Sequence, residues 1–208
     1  LFRAGGYDTS GYANGVAVSG DYANLADGNN VFMVVDVSDP TNPTYAGGYD
    51  DTSVYTNGVV VSGDHAYSAD DNNGFVLVPM REPTTPTYAG GYDTTGNARS
   101  VVVSGDYAYV ADYENGLVVV DVSDPANPTK VGGYDTSGDA RGVAVSGDYG
   151  YIADYGNGLM VVGVSHPTNP TMVGRYDTSG YTLSVEVSGG YAYIADYGNG
   201  LMVMDVSD

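Results

Sequence analysis

The sequence predicts an all-β fold, a five-bladed β-propeller with four antiparallel strands per blade. Three observations predict it. Marker strings recur every 42 or 43 residues through the whole chain. Each repeat is rich in Val, Tyr and Thr, with Gly or Pro at short intervals, which is strand and turn composition. No apolar stripe at helical spacing is sustained over about ten residues. A period near 42 also fits paired-helix repeats, and composition decides against them.

Three columns carry the period. Gly-Gly-Tyr-Asp or a close variant places Tyr7, Tyr49, Tyr92, Tyr134 and Tyr176. Val-x-Val-Ser-Gly places Gly20, Gly63, Gly105, Gly147 and Gly189, and Ala-Asp places Asp27, Asp70, Asp112, Asp154 and Asp196. The repeats run about 2–43, 44–86, 87–128, 129–170 and 171–208, and form one domain over 1–208.

The third repeat shows the strands in order. Arg99–Ser104 is a first strand, and Gly105-Asp106 a tight hairpin turn. Tyr107–Ala111 is a second strand, and Asn115-Gly116 marks another hairpin. Leu117–Val122 is a third strand. Pro125 and Pro128 then break the ladder, because proline lacks the donor a central strand needs. Thr129–Tyr134, with two glycines, suits an outer edge. The first three strands are near-continuous apolar runs, as in sheets buried on both faces.

The last repeat stops at Asp208 after its third strand. Phe2–Tyr7 matches Thr129–Tyr134 position for position. The N-terminal strand is therefore expected to complete the C-terminal blade and close the ring, which would cover the edge strands. The chain opens Leu1-Phe2-Arg3 without an initiator Met, which reads as a processed or trimmed product.

Charge narrows the function. Six Lys and Arg stand against 26 Asp and Glu, for a net charge of −20. Six scattered cations make no basic patch, so nucleic acid and anionic membranes are poor partners. All but three of the acids are Asp, a turn residue as much as a charge. Such a surface suits solubility, a salty medium or cation binding. There is no cysteine, hence no disulfide, thiolate metal site or Cys nucleophile. No apolar run approaches the roughly 18 residues of a membrane helix.

The third strands Phe32–Asp36, Leu117–Asp121 and Leu201–Asp205 carry a further signal. They are joined by Ser104–Asp112 (Ser-Gly-Asp-Tyr-Ala-Tyr-Val-Ala-Asp) before the strand and Val-Ser-Asp-Pro (Val122–Pro125) after it. Together these resemble the LVIVD repeat over essentially the whole chain. The resemblance implies a β-propeller, commonly part of secreted or cell-surface proteins of bacteria and archaea, without a general catalytic assignment. The second repeat departs at Pro79-Met80-Arg81-Glu82, and the fourth at Gly163 and His166.

On a propeller, two sets of loops converge near the axis on one face, where ligands usually bind. Here the first set is Asp8–Gly11, Asp51–Val54, Asp93–Gly96, Asp135–Gly138 and Asp177–Gly180. The second is Asp27–Asn30, Asp70–Gly74, Asp112–Gly116, Asp154–Gly158 and Asp196–Gly200. Turn chemistry explains most of these Asp residues. No cofactor is required, but Ca²⁺ is conceivable, and Asp70, Asp71 and Asn72 are the metal candidates. Tyr113, Tyr155 and Tyr197 stand in these turns as exposed contact surface for sugars or proteins.

Symmetry-breaking residues mark a site on a pseudo-symmetric ring. One column near the axial mouth holds Asn14, Asn57, Arg99, Arg141 and Leu183. Its two adjacent arginines either neutralise the acidic loops or grip an anion between two guanidinium forks. Glu186 replaces Ala17, Val60, Val102 and Ala144, an expensive place for a carboxylate unless it is solvated or paired.

The expected function is non-catalytic binding or scaffolding, secreted or at a cell surface. The expected partner is a protein or glycan on a cell surface or in extracellular matrix, and the isolated domain is expected to be monomeric. The alternatives are a lectin-like, calcium-dependent carbohydrate binder and a glycoside hydrolase with Glu186 at the axial mouth. The latter would need a second carboxylate about 5–9.5 Å away.

Overall fold

The computed structural model of the chain describes residues 1–28, 32–50 and 55–207. It is all-β, with five blades and no helix among the described residues. The first blade is β1 (Ala13–Ser19), β2 (Tyr22–Asp27), β3 (Phe32–Asp36) and β4 (Thr44–Tyr49). The second is β5 (Gly58–Ser62), β6 (His65–Ala69), β7 (Phe75–Pro79) and β8 (Gly90–Tyr92). The third is β9 (Ser100–Ser104), β10 (Tyr107–Ala111), β11 (Leu117–Asp121) and β12 (Thr129–Tyr134). The fourth is β13 (Gly142–Ser146), β14 (Tyr149–Ala153), β15 (Leu159–Gly163) and β16 (Thr171–Tyr176). The fifth holds β17 (Thr182–Ser188), β18 (Tyr191–Asp196) and β19 (Gly200–Asp205). Each sheet is an antiparallel meander in chain order.

The strands form where the repeat places them. Ser104 pairs with Tyr107 across the two-residue turn, and Gly105 takes φ +58°. Only glycine adopts that conformation without strain. The third and fourth strands slip by a residue at Val34/Val35, Val119/Val120 and Val161/Val162. A repeated bulge of this kind bends an outer strand away from the ladder. The second repeat, which lacks the usual Asp-Val-Ser-Asp string, has an outer strand of only three residues, β8.

The core lies between blades. Tyr67, Phe75 and Leu77 of the second blade meet Val101, Val110 and Val118 of the third. Tyr109, Leu117 and Val119 of the third meet Val143, Ile152 and Met160 of the fourth. Each blade thus has a trailing face and a leading face, built from alternate residues of the same strands. The fourth strand pairs with the third and also rests on the proline loop of the next blade. A Cβ on Gly47, Gly90 or Gly132 would meet the backbone of Pro83–Thr84, Pro125 or Pro167 respectively.

Closure differs from the sequence expectation. The fifth sheet has three strands, and Phe2–Tyr7 forms no strand and does not pair with β19. Gly5 instead packs on the Pro40–Pro43 loop, as Gly47, Gly90 and Gly132 pack on the following blade. Those glycines make the same contact in strands that pair with their own third strands, so the difference lies in β19, whose Leu201 and Val203 stand exposed and apart from this segment. Phe2–Tyr7 therefore lies beside the first blade, where a preceding blade would place its outer strand.

Candidate functional site

The first strands of all five blades line one cavity of about 480 Å³ on the axis. Asn14, Asn57, Arg99, Arg141, Leu183 and Glu186 all border it. The column of Asn14, Asn57, Arg99, Arg141 and Leu183 thus lies along the axis. Side chains of the column reach one blade onward. Asn14 donates to the Thr56 carbonyl at 2.8 Å, and Asn57 to the Ala98 carbonyl at 2.9 Å.

The two arginines are held by a ladder of rings. Tyr113 and Tyr155 occupy the turns between second and third strands at left-handed φ of 43° and 31°. Each turn bonds to the next blade. Tyr113 exchanges backbone hydrogen bonds with Ala140, and Thr182 donates to the Tyr155 carbonyl at 2.9 Å. That linkage sets Tyr113 beside Arg141, the residue after Ala140. The Arg99 and Arg141 guanidinium carbons lie 5.3 and 5.6 Å from the Tyr113 ring centre. Arg141 also lies 4.1 Å over Tyr155, whose ring stacks on Tyr181 at 4.4 Å and 10°. These distances are within cation–π range.

Arg99 has further anchors. One terminal nitrogen lies 3.6 Å from Asp71 and the other donates to Asn57 at 3.4 Å. The Nε atoms of both arginines are buried and have no hydrogen-bond partner. Tyr113 donates its hydroxyl to Asp139, and that bond pushes the phenol above its ordinary range.

The other candidates fall elsewhere. Tyr113 and Tyr155 are half-buried rather than exposed. Tyr155 is sandwiched between Arg141 and Tyr181, so its ring faces are already in use. Tyr197 is 80% exposed and lies in the fifth blade's turn, with its N–H donating to the Tyr181 carbonyl. Glu186 borders the cavity but is itself exposed. The metal candidates diverge. Asp70 accepts the Ser68 hydroxyl at 2.8 Å, Asp71 faces Arg99, and Asn72 is exposed. Among the described residues no three His, Cys, Asp or Glu side chains gather as a metal site would need.

The Asp columns do turn and latch chemistry. Asp8, Asp93, Asp135 and Asp177 each accept the N–H two residues on. Asp112 and Asp154 are buried at the ends of β10 and β14. They accept hydroxyls from Thr94 at 2.6 Å and Thr136 at 2.9 Å, and amides from Asn115 and Asn157 at 2.8 Å. Burial pushes both carboxyls above the usual range. Asp196, in the fifth blade, is held below it, first by the Thr178 hydroxyl. These Thr–Asp latches were not singled out in the sequence. Their signal is the fixed 18-residue offset within every repeat where both residues are described. The loops Asp27–Asn30 and Asp51–Val54 reach into 29–31 and 51–54, outside the described residues.

Comparison with known proteins agrees with the fold. The LVIVD repeat model matches residues 10–51, 55–94, 95–136, 137–178 and 179–208. No curated protein matches the sequence. Among solved structures, the computationally designed Ika8 protein superposes with a TM-score of 0.72 at 6% identity, over 92% of this chain. This chain spans 57% of that one. The computationally designed Ika4 protein superposes with a TM-score of 0.63 at 5% identity, over 78% of this chain and 98% of its own. Likeness at such identity speaks to the fold alone.

Proposed function

Since the chain belongs to the LVIVD-repeat family, we propose that it is a non-catalytic binding and scaffolding propeller, secreted or displayed on a cell surface. Its partner is a protein or glycan that presents an anionic group, a carboxylate in the simplest case, to the axial mouth. The observation that carries this reading is the pair of guanidinium groups, Arg99 and Arg141, that border the axial cavity on adjacent blades. Their Nε atoms are buried, so the terminal N–H groups are the donors open to a ligand. An incoming carboxylate gains charge-assisted bonds from them.

The surroundings favour a small anionic group over a flat sugar ring. Tyr113 and Tyr155 spend their faces on guanidinium groups, so they act as pillars that fix the arginines rather than as a stacking platform. The net charge of −20 repels anions at a distance. Recognition then rests on short-range geometry and not on steering.

The test is binding to immobilised acidic and neutral glycans and to peptides with a free C-terminal carboxylate. Retention of carboxylate-bearing probes by the native chain, lost in an Arg99→Gln/Arg141→Gln double variant, supports the reading. Capture that ignores both arginines overturns it.

A further inference from the structure

The outer strands differ in charge from blade to blade. The column four residues before Tyr49, Tyr92, Tyr134 and Tyr176 reads Tyr45, Tyr88, Lys130 and Met172. The column one residue before them reads Gly48, Gly91, Gly133 and Arg175. The third and fourth blades thus each bring one cation of their own to the outer edge. Lys130 lines a pocket there with Tyr134, Asp135 and Glu114. Its charge also reaches inward. Burial raises the Asp112 carboxyl, and Lys130, after Thr94 and Asn115, draws it back. Arg175 acts in the same direction on Asp154. In the first and second blades both columns are uncharged.

The second blade fills the same place with aromatic rings. Gly91 leaves its strand bare, and Tyr88 lies across it, so that an added Cβ would meet the Tyr88 hydroxyl at 3.2 Å. The first blade repeats the pair, with Tyr45 across Gly48. Tyr88 is 54% exposed, and its ring stacks on Tyr49 of the first blade at 6.2 Å and 28°. These two rings border a pocket of about 490 Å³, together with Tyr92, Asn73, the buried Phe75 and the exposed Asp93. That is the size of a small-ligand site. One Asp93 oxygen accepts the Thr95 N–H at 2.8 Å. None of the described residues around the pocket is Lys, Arg or His.

We propose that this pocket binds an organic cation, the ammonium of a lysine side chain on a partner protein. The internal repeat identifies the occupant. In the third blade a lysine ammonium shares the pocket with Tyr134 and Asp135. The second blade keeps the Tyr and the Asp, as Tyr92 and Asp93, and puts a ring where the lysine stood. A tyrosine face attracts a cation, and the carboxylate of Asp93 adds a full opposite charge. The lysine stem covers the exposed Tyr88 ring while its head meets Asp93, as long basic side chains do on mixed surfaces. The net charge of −20 draws such a partner in from a distance. Arg99 and Arg141 over Tyr113 show the same pairing within this chain. The site lies apart from the axial mouth and does not depend on the anion proposed there.

The experiment is NMR titration of the native 208-residue chain with four probes: acetyl-Gly-Lys-Gly-amide, its norleucine counterpart, n-butylammonium and methyl glucoside. The lysine peptide is expected to shift the Tyr49, Tyr88 and Asp93 signals saturably, and more weakly as salt rises. The norleucine peptide and the glucoside should leave them in place. Tyr88→Leu keeps apolar area but removes the ring face, and should weaken the lysine peptide about 2–30-fold. Asp93→Asn keeps an acceptor for the Thr95 N–H, removes the charge, and should also weaken it. Tyr88→Lys restores the third blade's residue, so the chain's own ammonium should fill the pocket and abolish binding. Tyr88 and Asp93 are exposed, so each variant should fold, as its amide spectrum will show. Binding of the lysine peptide at least as tight as that of n-butylammonium supports a protein-borne lysine, and tighter n-butylammonium overturns the protein partner. Equal shifts by norleucine or glucoside overturn the proposal. So do unsaturable shifts spread over the acidic surface, or undiminished binding by Tyr88→Lys.

Discussion

Thr94 donates its hydroxyl to the buried carboxylate of Asp112 at 2.6 Å, across 18 residues of chain. The bond ties the loop entering a first strand to the end of the second strand in the same blade. Thr136 and Asp154 repeat it in the fourth blade, and Thr9 and Asp27 in the first. A buried carboxylate that loses a donor keeps its desolvation cost without compensation. Thr94→Val should therefore lower unfolding free energy by about 1.5–3 kcal/mol, the range for a hydrogen bond to a charged group. The pH dependence has a definite sign. Burial raises the Asp112 carboxyl above its unfolded value, so the folded state resists the ionised form. The penalty in the variant is full where Asp112 is ionised and shrinks as pH falls through its raised folded pKa. Urea melts at pH 7 and near pH 4 check this, and an equal loss at both would count against the latch.

The fold was legible in the sequence because a repeat states its own period, turns and strands several times over. Gly105, Asn115-Gly116 and Pro125 punctuate strands that form within a residue or two of where the pattern puts them. The column of Arg99 and Arg141 was legible as a break in symmetry at the start of a first strand. What was not legible depends on contacts between blades. Nothing local to Tyr155 announces that Arg141 of its own repeat and Tyr181 of the next will cover its ring. Closure failed for a related reason. Phe2–Tyr7 matches Thr129–Tyr134 in sequence, but whether the fifth blade comes round to meet it depends on the angle between successive blades, which no local motif states.

Glycines in this chain are required for two separable reasons. At Gly96 the backbone is ordinary, but an added Cβ would come within 2.5 Å of an Asp112 carboxylate oxygen and the Asn115 amide. At Gly105 nothing lies within 4 Å, but φ is +58°. Gly105→Ala should cost about 1–2 kcal/mol, the penalty of a left-handed residue bearing a side chain. Gly96→Ala must displace the latch and should cost about 1–3 kcal/mol by overpacking. Only Gly96→Ala should also remove the slow exchange of the latch hydroxyl and amide protons. Proton exchange by NMR distinguishes the two, and an intact latch in Gly96→Ala would contradict the packing described.

Arg141 stands between two rings, whereas Arg99 has one ring and an acidic neighbour in Asp71. Replacing Tyr155 by Leu removes the closer cation–π contact, 4.1 Å, without altering charge. Such contacts contribute about 0.5–2 kcal/mol, so carboxylate probes should bind roughly 2–30-fold more weakly. Arg141→Lys keeps the charge but loses the planar fork, and should cost about as much as Arg141→Gln. Titration calorimetry with the tightest probe from the binding screen checks both. If lysine rescued full affinity, a point charge rather than a fork would be the recognising element.

Two classes of aspartate should titrate in opposite directions from the ordinary carboxylate. Asp121 and Asp205 accept the N–H and hydroxyl of Ser123 and Ser207, and these bonds hold their carboxyls low. Asp112 and Asp154 are raised by burial despite the donors around them. Asp196 is buried like them but falls in the lowered class, because the Thr178 hydroxyl and the N–H groups of Asn199 and Gly198 outweigh the cost of its burial. Carboxyl-carbon NMR through an acid titration should therefore protonate Asp112 and Asp154 first and Asp121, Asp196 and Asp205 last. The linkage signs differ accordingly. The lowered group lends stability above the unfolded pKa and loses it as pH falls through the folded one, while the raised pair costs stability at neutral pH and gives it back in acid. If Asp196 instead titrated with Asp112 and Asp154, burial rather than the Thr178 hydroxyl would govern its charge, and Thr178→Val would leave its titration unmoved.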